Sequence, residues 1–270
     1  MSNSAPIGVF DSGIGGLTVV HEMMRQLPEE NIIYFGDTAR LPYGPKSPDT
    51  VRRYSREITH YLQEQGVKAI VVACNTATAH ALPVLREELP VPVIGVVEPG
   101  ARAAVETSRS GSIGVIGTMG TINSGAYERA IRAITPDATI TTRACPLFVP
   151  LVEEGWTDRK ATRLIAREYL APMAAARIDT LVLGCTHYPL LKPLICDILG
   201  DNVTLIDSAE KTAAETGRVL DENGLRAVEG SDPSHRFIAS DAPEQFMRLG
   251  QRFLGELGST IERVETLTLG

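Results

Sequence analysis

The sequence has little positive charge, few aromatic residues and no long apolar run. It contains 26 lysine and arginine residues and 33 aspartate and glutamate residues, which give a formal net charge of −7. Aromatic residues make up 5% of the chain. A surface that follows nucleic-acid phosphates needs clustered basic side chains, so we expect no nucleic-acid partner. The apolar runs are too short to cross a bilayer, and the first residues lack the pattern of an export signal. These absences predict a cytoplasmic protein with no membrane partner.

Cysteine is also scarce. The four cysteines, Cys74, Cys145, Cys185 and Cys196, lie far apart without a disulfide-type framework, which predicts free thiols. With 43% hydrophobic and 22% charged residues, the composition is that of an ordinary globular protein. A chain of 270 residues is long enough for one large α/β domain or two smaller ones.

Short β-branched runs alternate with longer helical patterns, which is typical of βα units and a mostly parallel sheet. The predicted strands are Ile7–Phe10, Ile32–Phe35, Ala69–Ala73, Val93–Val97, Ile113–Ile116, Thr139–Arg143, Thr180–Gly184, Val203–Ile206, Phe237–Ala239 and Ile261–Val264. The predicted helices are Thr50–Gln65, Thr76–Glu88, Ala101–Ser108, Ser124–Ile134, Arg159–Ala176, Glu210–Glu222 and Glu244–Leu257.

The order of these elements is repeated along the chain. The segment 7–10 recurs as 113–116 at an offset of 106 residues, and the strand end at Cys74 recurs at Cys185 at an offset of 111. Any two βα units share valine-rich strands, so the resemblance of strands alone is weak support. A cysteine at the same strand end in both halves favours a true internal duplication.

The duplication predicts an α/β fold of two pseudo-symmetric, doubly wound domains with mostly parallel sheets. Pro42 recurs as Pro150 at an offset of 108 residues, which supports the same division. Residues 1–97 and 208–270 are predicted to form the first domain, and residues 98–207 the second. The active site is expected in the cleft between them.

Ligands of open α/β sheets bind beyond the carboxyl ends of the strands. In this sequence those ends carry acidic, hydroxyl, amide and thiol side chains in both halves. They include Asp11, Ser12, Asp37, Cys74, Asn75, Thr76, Thr118, Thr121, Cys145, Cys185, Thr186 and His187. Two domains that face each other bring the two sets together across a cleft.

Cys74 and Cys185 each end an apolar strand and are expected to precede a helix, whose N-terminus favours a thiolate. A lone cysteine at such a position is more often inert core, but pseudo-symmetry places one thiol on each face of a molecule in the cleft. Two opposed acid/base groups can remove a proton from one face of an amino acid Cα and return one to the other face. The two cysteines therefore predict racemisation, with one thiolate and one thiol in the resting enzyme.

Other polar side chains are candidates to assist this chemistry. His187 is expected to raise the thiolate fraction of Cys185, and Asp11 or Asp37 is the candidate for the same role near the other cysteine. Glu153 is a candidate partner of His187 or of a substrate ammonium group. At a strand end, a histidine or an aspartate is as often a structural cap.

Several residues are suited to bind a substrate carboxylate. Hydroxyl or amide donors near predicted helix N-termini are Ser12, Asn75, Thr76, Thr118, Thr121 and Thr186. Tyr43 and Gly44 lie in a turn flanked by prolines, where backbone N–H groups are expected to reach the substrate.

The sequence gives weak support for a cofactor or a metal. The stretch 13–16 departs from the dinucleotide-loop spacing and is interpreted as a tight strand-to-helix turn. No lysine stands at a predicted strand end for a pyridoxal Schiff base. The spacing of Cys185 and His187 is too tight for the usual zinc-ligand pair. We therefore predict no cofactor and no metal, and structural roles for Cys145 and Cys196.

Five motifs carry a family resemblance. They are GVFDSGIGGLT at 8–18, YFGDTAR at 34–40, PYG at 42–44, ACNTA at 73–77 and LGCTHYPL at 183–190. Together they resemble the glutamate racemases of bacterial cell-wall synthesis, within the aspartate/glutamate racemase superfamily. The motifs span most of the chain and are jointly highly specific.

The resemblance implies a cofactor-independent isomerase that interconverts L-glutamate and D-glutamate and supplies D-glutamate for peptidoglycan synthesis, cell wall biogenesis and cell shape. It implies Cys74 and Cys185 as the catalysts, assisted by Asp11, Glu153 and His187, and commonly a homodimer. The substrate contacts it implies are Asp11 and Ser12, Tyr43 and Gly44, Asn75 and Thr76, and Thr186 and His187.

Two other functions stay open. An aspartate racemase or a broad-specificity racemase would share both cysteines, because the sequence does not show the shape of the pocket. A catalytically inactive binding protein for acidic amino acids is the alternative from another class, although the two cysteine motifs speak against it. The N-terminus is short compared with members that carry an activator-binding segment, so regulation by a cell-wall precursor is not expected.

Overall fold

The computed structural model of the chain describes residues 3–261 and 263–269. The strands of these residues form two sheets, in which every pairing is parallel. They are β1 (Ile7–Asp11), β2 (Ile32–Gly36), β3 (Ala69–Val72), β4 (Val93–Gly95), β5 (Ser112–Gly117), β6 (Thr139–Ala144), β7 (Thr180–Gly184), β8 (Thr204–Asp207), β9 (His235–Ala239) and β10 (Val264–Thr266). The predicted α/β class with parallel sheets is confirmed.

Helices connect the strands and cover the sheets. They are α1 (Leu17–Gln26), α2 (Pro48–Glu64), α3 (Asn75–Glu88), α4 (Val97–Thr107), α5 (Met119–Asn123), α6 (Ala126–Ile134), α7 (Phe148–Glu153), α8 (Lys160–Ala175), α9 (Lys192–Leu199), α10 (Ser208–Glu222) and α11 (Pro243–Leu254), with short 3₁₀ helices at Thr38–Arg40, Tyr188–Leu191 and Gly255–Thr260. Helix α1 packs on α10 and α11, α2 packs on α3, and α4 packs on α6 and α10. In the described part of the chain, no helix has the length and apolar character needed to cross a membrane.

The two sheets share one plan. The strand order is β10-β9-β2-β1-β3-β4 in the larger sheet and β6-β5-β7-β8 in the smaller one, so the same four-strand order occurs in both. The register agrees as well, because Ile7 lies opposite Ile32 and the equivalent Ile113 lies opposite Ile140. The structure thus has the pseudo-symmetry that the duplicated sequence predicts.

The strands of the larger sheet fall within 1–97 and 208–270, and those of the smaller sheet fall within 98–207. The domain boundaries themselves stay a prediction. Residues 1, 2, 262 and 270 of the predicted domains lie outside the described residues.

The central strands are buried on both faces, so their apolar residues run on instead of alternating with polar ones. All residues of β1, β2 and β7 are buried. One apolar cluster includes residues of both sheets, such as Val9 in β1 and Leu181 in β7. This shared core holds the two halves in contact beside the strand ends.

Several element boundaries differ from the predictions. The predicted strand Val93–Val97 ends at Gly95, and Val97 begins α4, because a short apolar run does not distinguish a strand from the first turn of a buried helix. The predicted helix Ser124–Ile134 is α6, which begins two residues later at Ala126 because Gly125 before it has a positive φ of 66°.

Other differences lie in elements that the hydrophobic pattern did not show. Helices α5 and α7 were not predicted, and of α1 only the strand-to-helix turn before it was. The predicted last strand, Ile261–Val264, is replaced by β10, which starts at Val264, and residue 262 lies outside the described residues.

Candidate active site

A narrow cavity lies where the carboxyl ends of β1 and β3 meet those of β5 and β7. The space in it that water-sized molecules can reach is about 30 Å³. The lining residues are Ser12, Gly13, Leu41, Pro42, Tyr43, Gly44, Cys74, Asn75, Thr76, Thr118, Val149, Glu153, Cys185, Thr186 and His187. The structure therefore brings both strand-end thiols to one cavity, as pseudo-symmetry predicts.

Most lining residues form pairs related by the internal duplication. Ser12 corresponds to Thr118 at the offset of 106, Leu41 to Val149 at 108, and Cys74, Asn75 and Thr76 to Cys185, Thr186 and His187 at 111. Each half thus contributes a thiol, a hydroxyl and an apolar side chain. Glu153 and Tyr43 have no lining counterpart, so the two halves differ in the groups around each thiol.

Cys74 is the N-cap of α3, and its sulfur accepts a hydrogen bond from the backbone N–H of Ala77 at 3.4 Å. The thiol also donates to the hydroxyl of Ser12 at 3.6 Å. Burial raises the pKa of Cys74 to about 12, and the charge of Asp11 acts in the same direction. Hydrogen bonding with Ala77 and Ser12 lowers the pKa of Cys74, but the effect of burial is larger. Cys74 therefore holds its proton near neutral pH.

Asp11 is the last residue of β1 and is 1% exposed. Its Oδ2 accepts a hydrogen bond from the backbone N–H of Gly13 at 3.0 Å, whereas its buried Oδ1 has no hydrogen-bond partner in the described part of the chain. Burial raises the pKa of Asp11, and the positive charge of His187 opposes this shift. Asp11 does not line the cavity, but its neighbours Ser12 and Gly13 do.

Cys185 lies directly after β7, and the chain does not continue into an α-helix as expected. A bend follows, and then the 3₁₀ helix Tyr188–Leu191. The sulfur of Cys185 lies 4.0 Å from Nδ1 of His187. A side-chain partner replaces the α-helix N-terminus that the sequence predicts beside this thiol.

His187 is held on both sides of its ring. Its Nε2 lies 3.0 Å from Oε1 of Glu153, and the ring of Phe253 packs edge-on against it at 5.3 Å between centroids. Burial alone would lower the pKa of His187, but hydrogen bonds with Cys185 and Glu153 raise it to about 10. His187 is therefore an imidazolium near neutral pH, and of the two partners considered for Glu153 it contacts the histidine.

Three threonine hydroxyls form a cluster between the halves. Thr76 lies 2.8 Å from Thr118 and 3.3 Å from Thr121, and the last two lie 3.0 Å apart. The backbone N–H of Gly120 donates to the carbonyl of Gly44 at 2.9 Å and adds a second link. Thr121 itself does not line the cavity, and it supports the two threonines that do.

Asp37, the other candidate helper of Cys74, does not line the cavity. Its carboxylate accepts hydrogen bonds from Arg40 at 2.8 and 3.0 Å, from Ser240 at 2.9 Å, and from the Tyr43 hydroxyl. Both carboxylate oxygens of Asp37 therefore accept hydrogen bonds, and these bonds anchor the loop that carries Tyr43. We assign Asp37 a structural role.

Four lining residues are absent from the predicted site, namely Gly13, Leu41, Pro42 and Val149. Leu41 and Val149 are related by the offset of 108 residues, so the duplication itself was the signal that could have found them. Gly13 follows Ser12 in the predicted turn, and Pro42 precedes the predicted Tyr43.

The remaining cysteines do not line the cavity. Cys145 is buried with its thiol 3.7 Å from the carbonyl of Arg143, and Cys196 is exposed on α9. Among residues 3–261 and 263–269, no group of three or more histidine, cysteine, aspartate or glutamate side chains is arranged to hold a metal ion.

Comparisons with known proteins agree with this fold. The profile of the Asp/Glu/Hydantoin racemase family matches residues 7–216. A glutamate racemase of Geobacter metallireducens is 55% identical over 249 residues, covering 92% of either chain. A crystal structure of a glutamate racemase isoform from Bacillus anthracis is 42% identical with a TM-score of 0.92, covering 99% of this chain and 98% of that one.

A third relative is the crystal structure of glutamate racemase from Francisella tularensis in complex with D-glutamate. It is 40% identical, with a TM-score of 0.92, and covers 99% of this chain and 98% of that chain. The fold, the cavity between duplicated halves and these matches define an α/β isomerase that acts as a racemase. The chain belongs to the Asp/Glu/Hydantoin racemase family.

Proposed function

We propose that the chain interconverts L-glutamate and D-glutamate by moving protons between Cys74, the substrate Cα and Cys185. The observation that carries the proposal is that both thiols, at matching positions of a duplicated fold, line one cavity. Asp11 assists the first thiol, and the pair of His187 and Glu153 assists the second.

The proton transfers balance within the site. One cysteine, as a thiolate, takes the Cα proton, and the electron pair stays on the carbon as a carbanion delocalised into the α-carboxylate. The other cysteine, as a thiol, gives its proton to the opposite face, which forms the other enantiomer. The thiol and the thiolate have then exchanged places, and no electron has entered or left. Fixed donors and positive charge around the substrate supply most of the stabilisation of the carbanion.

The two halves favour one resting arrangement. The imidazolium of His187, 4.0 Å from the sulfur of Cys185, stabilises negative charge on that sulfur. Burial and Asp11 keep the proton on Cys74. We therefore propose Cys74 as the resting thiol and His187 as the group that stabilises negative charge on the other cysteine during the reaction.

The donors of the cavity fit a substrate with two carboxylates. Hydroxyl and amide groups come from both halves, and those that line the cavity are Ser12, Asn75, Thr76, Thr118 and Thr186, next to the Tyr43–Gly44 loop. The Oδ1 atom of Asp11 has no hydrogen-bond partner among the described residues. This supports a role for the Asp11 carboxylate as a partner of the substrate ammonium group or of Cys74.

The choice of glutamate over aspartate is supported by the relatives. A protein of Neisseria meningitidis named glutamate racemase is 53% identical over 266 residues, and the Francisella structure holds D-glutamate. We expect racemisation of glutamate to exceed that of aspartate and alanine in kcat/KM by at least about tenfold, because a pocket fixed in length leaves its donors unpaired with a shorter acid. Circular dichroism with each L-amino acid and the purified protein, without added cofactor, measures this. Equal or faster turnover of aspartate would contradict the substrate assignment.

The cellular role follows from the product. D-glutamate made in the cytoplasm would supply peptidoglycan synthesis, and expression of the chain should restore growth of a bacterium that requires D-glutamate. Expression of the Cys74→Ser variant is the matched control and should not restore growth. We also propose a homodimer, which sedimentation of the purified chain would test.

The ion pair at His187 sets a pH dependence. Because the required form is the imidazolium, kcat/KM should fall as the pH rises through about 10, the pKa of His187. Glu153→Gln removes one of the two groups that raise this pKa, so the alkaline loss of kcat/KM should move toward neutral pH by about one unit or more.

The matched control is Glu154→Gln, the adjacent exposed carboxylate, which should leave the pH profile unchanged. The pH profiles of kcat/KM for wild type, Glu153→Gln and Glu154→Gln test this prediction. If kcat/KM of Glu153→Gln falls at the same alkaline pH as kcat/KM of wild type, Glu153 does not set the pKa of His187.

A further inference from the structure

Asn75 lies at the start of α3 and presents only one end of its side-chain amide to a protein partner. The hydroxyl of Tyr127 donates a hydrogen bond to Oδ1 of Asn75 at 2.7 Å. The amide nitrogen Nδ2 is buried and has no hydrogen-bond partner in the described part of the chain. Because Asn75 lines the cavity, this unpaired donor is a group available to a ligand.

Tyr127 belongs to the other half of the molecule, in α6, and is 2% exposed. Two glycines make room for it. A Cβ at Gly184 would lie 3.1 Å from its ring, and one at Gly100 would lie 3.2 Å from its hydroxyl. The phenol is therefore fixed in place by this packing and by its hydrogen bond to Asn75.

An asparagine amide can rotate by half a turn and exchange its donor and acceptor ends. In this structure the Tyr127 hydroxyl donates to Oδ1, so Nδ2 lies on the other side of the amide. In that rotamer the amide offers N–H groups, which pair with a carboxylate. In the flipped rotamer the carbonyl oxygen would repel a carboxylate.

We propose that Tyr127 is a positioning residue that locks the Asn75 amide with its N–H groups available to a substrate carboxylate. The proposal rests on the proposed function, because it takes the ligand to be an amino acid that carries a carboxylate. Tyr127 touches no substrate in this arrangement. It acts through Asn75, across the contact between the two halves.

The test compares four proteins: wild type, Tyr127→Phe, Asn75→Ala and the double variant. Phenylalanine keeps the ring packing and removes only the hydroxyl, so the variant should fold. A carboxylate contact is made in the ground state and in the transition state alike, so its loss should appear mainly in KM. We expect Tyr127→Phe to raise KM for glutamate about tenfold with a smaller change in kcat, since a buried amide loses its fixed partner.

The double variant separates positioning from simple structural support. If Tyr127 acts through Asn75, the Tyr127→Phe change should have no further effect on KM in the Asn75→Ala background. Tyr169→Phe is the matched control, because it also removes a hydroxyl, one that contacts the backbone N–H of Leu147 away from the cavity. Thermal unfolding of each variant checks the fold.

The outcomes are distinct. An unchanged KM in Tyr127→Phe, or equal effects of that change with and without Asn75, would overturn the positioning role and leave the proposed function intact. If wild type racemises another amino acid instead of glutamate, the proposed substrate fails, and the same four proteins are compared with that amino acid. A wild type that neither binds nor racemises any amino acid would overturn both proposals.

Discussion

Replacing either Cys74 or Cys185 with serine should lower the rate of glutamate racemisation by about 10³-fold or more. A serine hydroxyl is a far weaker acid than a thiol, so it supplies neither the base nor the readily transferred proton that inversion needs. Both cysteines are buried on the wall of one cavity, so no other thiol among the described residues can replace them there. Circular dichroism from each enantiomer measures the loss.

Exchange of the α-proton in heavy water makes the experiment sharper. A variant that keeps one thiol can still remove and return a proton on one face, so each variant should exchange one enantiomer and the two should have opposite preferences. Cys196→Ser is the control, because that cysteine is exposed on α9, and it should behave as wild type. Full racemisation in either active-site variant would end the two-thiol mechanism.

Substituting Gly15 by alanine should lower kcat/KM about 100-fold or more while the protein still folds. Gly15 lies in the turn between β1 and α1, where a Cβ would lie 2.5 Å from Nδ1 of His187 and closer still to Oγ1 of Thr186. Real Cβ atoms do not approach other atoms so closely, so the loop of the second half that carries Cys185 must shift. A displacement of about 1 Å in a catalytic group can cost 10²-fold in rate.

The matched control is Gly66→Ala. A Cβ at Gly66 meets no atom within 4 Å, although its φ of 71° disfavours alanine. This variant should lose about 1–2 kcal/mol of stability with unchanged kcat/KM. Thermal unfolding and racemisation rates of both variants distinguish the two effects. Wild-type kcat/KM in Gly15→Ala would show that the two halves do not need this close contact.

The predictions for the two cysteines and for Gly15 both concern residues in motifs that are recognisable in the sequence. Parallel strands end on the same edge of a sheet, so polar side chains after β1, β3, β5 and β7 could be expected to meet. Cys74 and Cys185 were predictable because the duplication repeats a strand end, and the cavity contains both. The apolar part of the cavity wall was harder to predict, because in the hydrophobic pattern of the sequence Leu41 and Val149 resemble ordinary core residues.

The partners of each side chain were less predictable than its position. Asp11 and Asp37 both follow buried strands, and their sequence context does not separate them. In the structure Asp37 is saturated by Arg40, Tyr43 and Ser240, whereas Asp11 keeps a free oxygen beside the cavity wall. Ser240 lies 203 residues after Asp37, so only the folded chain brings them together.

The sequence by itself determined the parallel α/β architecture, the repeated plan and the positions of the two thiols, because periodicity and strand ends are local properties of the chain. The tertiary structure decided the environment of each thiol. Cys74 is a buried helix cap that keeps its proton, and Cys185 lies beside a histidine held by Glu153. Burial and charge pairing depend on residues from distant segments, and these long-range contacts set the chemistry of two otherwise equivalent cysteines.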